Sequence, residues 1–412
     1  MQIKEEIRRL AAAAEDECAA QFKEIDETAR FNQEKVLDAF ISNRVSEACF
    51  SHTTGYGYGD TGRDTLDKIY AEVFGAEDAL VRHNIVNGTH CLTIALFSVL
   101  RPGDTLLAAT GKPYDTLEEV IGISGESGNG SLRDFGVDYK QVDLKKDGTI
   151  DFEALKAALT PDVKAVILQR SKGYDWRQTL SCAAIGEAIS FIKSIKSDAV
   201  CIVDNCYGEF AERTEPTQHG ADLIVGSLIK NPGGGLAQSG GYIAGKKKYV
   251  ELAAYRQTAP GLGAECGATL GQNRFMYQGF FTAPHVVAQA LKTAVFSGAL
   301  LEKLGCEVNP KPHEPHRDII QAVKFGDEDK LIKFIQAIQK ASPVDSYALP
   351  MPWDMPGYQH QVIMAAGTFV SGASIELSAD APIKPPYVCF MQGGITYESA
   401  RLAVMSAAGE LV

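Results

Sequence analysis

The sequence predicts an α/β protein with a large domain built on a mostly parallel, buried sheet, followed by a smaller C-terminal α+β domain. Three observations lead there. Short apolar runs alternate with helical stretches in the rhythm of βαβ units. The runs are β-branched and apolar on both faces, as strands covered by helices on both sides must be. At 412 residues the chain also exceeds what one hydrophobic core usually organises.

The elements follow in chain order. Ile7, Leu10, Ala11, Ala14, Cys18 and Phe22 fall at helical spacing, so residues 1–50 read as a helical arm. Residues 52–59, His-Thr-Thr-Gly-Tyr-Gly-Tyr-Gly, form a glycine and tyrosine loop, and an amphipathic helix follows over 63–74. Candidate strands occupy 79–82, 105–109, 139–144, 165–169, 199–204, 223–227 and 241–244, and the large domain is expected over 51–300. Between Leu301 and His316 the pattern breaks around Pro310, Pro312 and Pro315. Beyond the break, a strand at 319–325, a helix at 328–340 and strands at 362–365, 374–377 and 388–391 predict the small domain, 301–412.

Composition excludes several classes. A net charge of -12 disfavours a nucleic-acid partner, which needs a concentrated basic face. The one dense basic run, Lys246 to Lys248, reads as a solvated helix start. The apolar segment 92–100 is too short to span a bilayer, so no membrane partner is expected. Nine scattered cysteines without a C-x-x-C pair suit reduced thiols and a cytoplasmic location, and no metal site is expected.

The chemistry concentrates at two strand ends. Cys-Ile-Val-Asp204 finishes on a carboxylate, and Leu-Ile-Val-Gly-Ser227-Leu-Ile-Lys230 finishes on a lysine. In an open parallel sheet the carboxyl ends of strands line the ligand crevice, so the two groups converge on one site unless they are a structural ion pair. Pyridoxal phosphate needs this combination: a lysine for its aldehyde and a carboxylate for its pyridine nitrogen. Ser227 offers a hydroxyl to a phosphate. Gly88 and Thr89 begin a helix after an early strand, where backbone amides and the helix dipole favour an anion. Tyr114 opens another strand-to-helix segment, from which its ring can stack on a cofactor.

These segments resemble a known family. Gly-Tyr-Gly-Tyr-Gly-Asp60, Val-Asp204-Asn-Cys-Tyr-Gly-Glu209, Ser227-Leu-Ile-Lys230-Asn-Pro-Gly-Gly-Gly235 and Gln392-Gly-Gly-Ile-Thr-Tyr-Glu398 are similar to the methionine gamma-lyase-like group, including its aluminium resistance proteins. That group lies within the fold-type I pyridoxal-phosphate enzymes, so the resemblance implies an aspartate-aminotransferase-like fold and pyridoxal 5'-phosphate as cofactor. It makes Lys230 the Schiff-base lysine and acid/base, Asp204 the partner of the ring nitrogen and Tyr114 the stacking ring, with Gly88, Thr89 and Ser227 at the phosphate. In the wider clan a tyrosine and an arginine of a neighbouring subunit complete the phosphate cup. Tyr56 and Arg63 stand for them here, without the clan's Y-x-R spacing, and imply a homodimer or homotetramer with shared sites. The clan's substrate-carboxylate arginine has no matching motif. Arg177, in a polar loop after a core strand, is preferred over Arg170 and Arg401.

Competing motifs carry less. Residues 57–62 match G-x-G-x-x-G but follow no strand, residues 240–247 lack the Ser or Thr of a P-loop, and the S-x-x-K at 227–230 lacks its S-D-N and K-T-G companions. His313 and His316 read as solvated loop residues rather than metal ligands. The implied activity is carbon–sulfur bond cleavage in a sulfur amino acid, by α,γ-elimination as in methionine gamma-lyase. The alternatives are a cystathionine beta-lyase or gamma-synthase, a cysteine desulfhydrase, an aldolase, or a cofactor-binding stress protein without turnover.

Overall fold

The structure is a computed structural model that describes residues 3–355 and 358–412. Two helices, α1 (Glu5–Glu17) and α2 (Ala19–Ser42), open the chain. After the Gly-Tyr loop come α3 (Thr61–Val73), β1 (Asp78–Arg82), α4 (Gly88–Val99), β2 (Thr105–Ala108), α5 (Asp115–Ile121), β3 (Asp138–Gln141), α6 (Phe152–Ala158) and β4 (Val163–Gln169). Then α7 (Cys182–Ile195), β5 (Val200–Asp204), β6 (Leu223–Ser227), β7 (Gly241–Gly245) and α8 (Lys247–Gln257) complete a seven-stranded sheet in the order β1-β7-β6-β5-β4-β2-β3. Neighbours from β6 to β3 run parallel, and β7 is antiparallel to both β6 and β1.

Alternation along the central strands explains why they were readable. Val166, Leu168, Cys201, Val203 and Ile224 enter one core, and Ala165, Ile167, Val200, Ile202 and Val225 enter another on the opposite face. With no solvated face, selection against polar residues acts at every position.

A 31-residue helix, α9 (Asn273–Lys303), bridges the two halves and was not anticipated, since Pro284 inside it interrupts the pattern. Its first half packs into the large-domain core, and Val295, Phe296 and Leu300 enter the small-domain core. The second sheet contains β8 (Glu307–Asn309), β9 (Ile320–Lys324), β10 (Val362–Ala365), β11 (Ser378–Pro382) and β12 (Val388–Gln392), in the order β10-β11-β12-β9-β8. Helix α10 (Glu328–Lys340) and the end of α9 pack on it, and α11 (Tyr397–Ala408) packs against both helices.

Three expectations need correction. The strand expected at 374–377 lies at Ser378–Pro382, because the apolar Ile375 and Leu377 belong to the preceding turn. The opening helices do not project as an arm: Ile7, Ala11 and Ala14 are fully buried in the small-domain core, and Val36 and Ala39 in the large-domain core. His316 is no solvated residue either. Its ring bonds Gln321 Oε1 and the Glu314 carbonyl, each at 3.0 Å, and burial lowers its titration. No helix among the described residues is long and apolar enough to cross a membrane.

Candidate active site

The carboxyl ends of β4, β5 and β6 open into a cavity of about 200 Å³. Its wall contains Gly88 and Thr89 from the start of α4, Tyr114, Asp204, Ser227 and Lys230. Local folding explains the convergence. The chain turns after Ser227, with the Lys230 N–H donating to the Ser227 carbonyl at 3.3 Å. That turn brings the serine hydroxyl and the lysine amine to one side. Asn87 caps α4 by accepting from the His90 N–H at 2.8 Å, leaving the Gly88 and Thr89 amides at the positive end of the helix. A Cβ on Gly88 would meet nothing closer than 3.7 Å, so glycine there keeps the cavity open rather than relieving a clash.

Two loops are locked to each other. Asn231, fully buried, donates through Nδ2 to the Tyr207 and Glu209 carbonyls at 3.0 Å each, tying the Lys230 turn to the loop after Asp204. Behind it, Arg170 Nη1 donates to Asn205 Oδ1 at 2.7 Å, and Asn205 Nδ2 donates to Glu215 Oε2 at 2.9 Å. The loop 231–235 presses on α9 so closely that a Cβ on Gly279 would lie 2.1 Å from the Gly233 oxygen, which makes glycine obligatory.

Asp204 Oδ1 accepts from the Cys206 N–H at 3.1 Å. Burial pushes this carboxyl up, and the Lys230 charge pulls it back. Burial also acts against the Lys230 ammonium, while the Asp204 carboxyl beside it favours the charged form. Burial pushes the Cys206 thiol and the Tyr207 phenol up, and the Asp204 carboxyl raises the thiol further. Lys230 Nζ sits over the Tyr207 ring, 3.9 Å from its centre. Tyr114 pairs its hydroxyl with that of Tyr358 at 2.5 Å, and burial keeps its phenol protonated.

Other expected site residues lie elsewhere. Arg177 is outside the cavity wall, because its guanidinium serves the carbonyls of Gln178, Gln169 and Ser171. Arg170 is consumed by the buried network, and Arg401 pairs with Glu15 at 2.9 Å. Arg63 faces inward and donates to the Gly57 and Gly267 carbonyls at 2.8 and 2.9 Å, clamping the Gly-Tyr loop. Tyr56 is 70% exposed, stacked on Tyr58 and outside the cavity of its own chain. The cations beside the cavity are Lys112, Lys172 and Lys384, which with His360 line an adjoining chamber of about 140 Å³.

Sequence reasoning missed Cys206, Tyr207 and Gln169 in the wall and Tyr358 in the adjoining chamber, bonded to Tyr114. Tyr207, three residues past Asp204, left one signal: an aromatic residue in the Asn-Cys-Tyr-Gly loop at a strand end. Nothing local marks Tyr358, which arrives from the small domain.

Solved structures define the class first. The pyridoxal-5'-phosphate-dependent protein YhfS of Escherichia coli superposes with a TM-score of 0.62 at 15% identity, covering 93% of this chain and 96% of that one. The fold is therefore that of the fold-type I pyridoxal-phosphate enzymes. The methionine gamma-lyase family model matches residues 7–412, and the chain belongs to that family. It is 53% identical to the uncharacterized protein YnbB of Bacillus subtilis over 98% of this chain and 96% of that protein. A carbon-sulfur lyase involved in aluminum resistance from Clostridium novyi NT superposes with a TM-score of 0.96 at 50% identity, covering 100% and 97%.

Proposed function

We propose that this chain is a pyridoxal-phosphate-dependent carbon–sulfur lyase acting on a sulfur-containing amino acid, with Lys230 carrying the cofactor. The observation behind the reading is the single cavity walled by Lys230, Asp204, Ser227 and the N-terminus of α4. The donor set suits the group. Ser227 Oγ is buried without a partner, beside the amides of Gly88 and Thr89, where a phosphate is expected. Asp204 suits a pyridinium nitrogen, Tyr114 a ring face, and Lys230 Nζ an aldehyde carbon. Bound there, pyridoxal phosphate supplies an electron sink for the charge left on the substrate α-carbon.

The chain's own groups do the rest. Asp204, oriented by the Cys206 N–H, keeps a proton on the ring nitrogen. Lys230, its Nζ held over the Tyr207 ring, would receive the α-proton of the bound substrate. Tyr114, protonated and bonded to Tyr358, delivers a proton to the departing sulfur. The Clostridium novyi carbon-sulfur lyase and the L-methionine gamma-lyase of Pseudomonas putida, 26% identical over 217 residues, support the reaction class and favour α,γ-elimination of methionine. The test offers methionine and cysteine separately and measures 2-oxobutanoate against pyruvate. 2-Oxobutanoate from methionine supports γ-elimination, pyruvate from cysteine supports β-elimination, and neither product from any sulfur amino acid overturns the lyase reading.

The working unit proposed is at least a homodimer. Arg63 holds the Gly-Tyr loop so that Tyr56 and Tyr58 face outward as a stacked pair, a form suited to reaching a second subunit's cavity.

A further inference from the structure

The small-domain sheet turns one face towards the cofactor cavity, and that face carries a cluster of buried polar atoms. In the β11–β12 pairing Ser378 lies opposite Gln392, and Asp380 opposite Phe390. Ala379 and Ala381 enter the core shared with α10, so strand alternation directs Ser378 and Asp380 to the other face. On that face Ile320, Ala322, Val388 and Phe390 pack against Tyr174, Trp176 and Tyr207 of the large domain. Tyr207 is the ring under Lys230.

Ser378, Asp380 and Gln392 are 4%, 6% and 5% exposed. Gln392 Nε2 donates to Asp380 Oδ2 at 2.6 Å, but Ser378 Oγ, Asp380 Oδ1 and Gln392 Oε1 have no partner. A buried polar group without a partner is costly, so three on one face are an open binding requirement. All three atoms accept hydrogen bonds and one belongs to a carboxyl, a set that matches an ammonium with its three donor hydrogens. Of the groups around Asp380, Lys230 pulls its carboxyl towards the anion, while Tyr114, Tyr174, Tyr358 and Cys389 are neutral hydroxyl or thiol groups that its charge pushes up. Burial raises Asp380 to about 7, and a cation seated against it would fix the charged form. Pro382, on the same face of β11, lines the chamber beside the cofactor cavity together with Tyr114, Tyr174 and Tyr358, so this face runs from Tyr207, under Lys230, out to that chamber.

We propose that Ser378, Asp380 and Gln392 determine substrate specificity by receiving an ammonium group at the far end of the substrate side chain. The proposal rests on the lyase reading only for the identity of the reaction; recognition requires only an amino acid seated at Lys230. The experiment titrates the cofactor-loaded protein with L-lysine and with its uncharged isostere L-2-aminoheptanoate, following cofactor absorbance. Wild type binds lysine at least about tenfold more tightly, the effect of one charge-assisted hydrogen bond. Asp380→Asn, which keeps the Gln392 contact, brings lysine to parity and leaves the isostere unchanged. Ser378→Ala reduces the preference in part and carries the test if Asp380→Asn melts early. With thioethers of the same length, kcat/KM for S-(2-aminoethyl)-L-cysteine falls through KM in Asp380→Asn, while S-propyl-L-cysteine is unaffected. Equal wild-type affinity for lysine and its isostere, or equal weakening of both by the variants, overturns the proposal. A lysine preference with no sulfur amino acid cleaved overturns the lyase reading and leaves this recognition standing.

Discussion

Single residues carry the sharpest expectations. Lys230→Ala removes the group that moves the α-proton, and turnover should fall by at least about 100-fold. Asp204→Asn should keep the fold, measured by melting temperature, and lose about 100-fold or more in kcat, because a neutral amide no longer holds the ring nitrogen protonated. Near-normal turnover in that variant would assign the role to another carboxylate. Glu209 offers a test of the buried network behind the cavity. Burial raises it from 4.5 to about 8, and Oε1 accepts from the Tyr242 hydroxyl at 2.9 Å. The folded protein thus holds this proton at pH values where the unfolded chain has released it. The contribution to stability is complete below about pH 4.5 and is lost as pH rises through about 8, a change on the order of a few kcal/mol. Glu209→Gln should flatten the fall in melting temperature over that range, and an unchanged pH profile would contradict the assignment.

At the scale of elements, the N-terminus of α4 is the part of the site most exposed to a local test. Asn87→Ala removes the cap on the His90 N–H and should cost about 1 kcal/mol of stability, read by denaturant unfolding. It should also speed cofactor loss on dialysis, because the same end of the helix faces the phosphate position. The strands that position the site, β4 to β6, were legible because both of their faces are buried and apolar. The strand β11 was not. It carries Ser378 and Asp380 on the face towards the cavity and only small alanines on the other, so the apolar run at Ile375 to Leu377 drew the assignment to the wrong place. A functional strand with buried polar residues defeats a pattern built on apolar alternation.

For the whole molecule, the two-sheet architecture was readable from element order, whereas what meets across it was not. Tyr358 reaches Tyr114 over 244 positions of sequence, and Asp380 comes to the cavity through the second sheet. No local propensity encodes such meetings. The arginines show the same limit, since Arg63, Arg170 and Arg177 have the residue type of an anion site but spend their donors on carbonyls and buried carboxylates. Assembly is the remaining expectation at this scale. Sedimentation should show a dimer or tetramer, and Tyr56→Ala should weaken cofactor retention without lowering the melting temperature. A monomer with full activity would contradict shared sites.

The central claim is that pyridoxal phosphate is carried by Lys230. Borohydride reduction of the purified, yellow protein followed by peptide mapping tests it directly. The cofactor mass is predicted on the peptide containing Ser227-Leu-Ile-Lys230, and attachment to any other lysine, or no attachment at all, would contradict it.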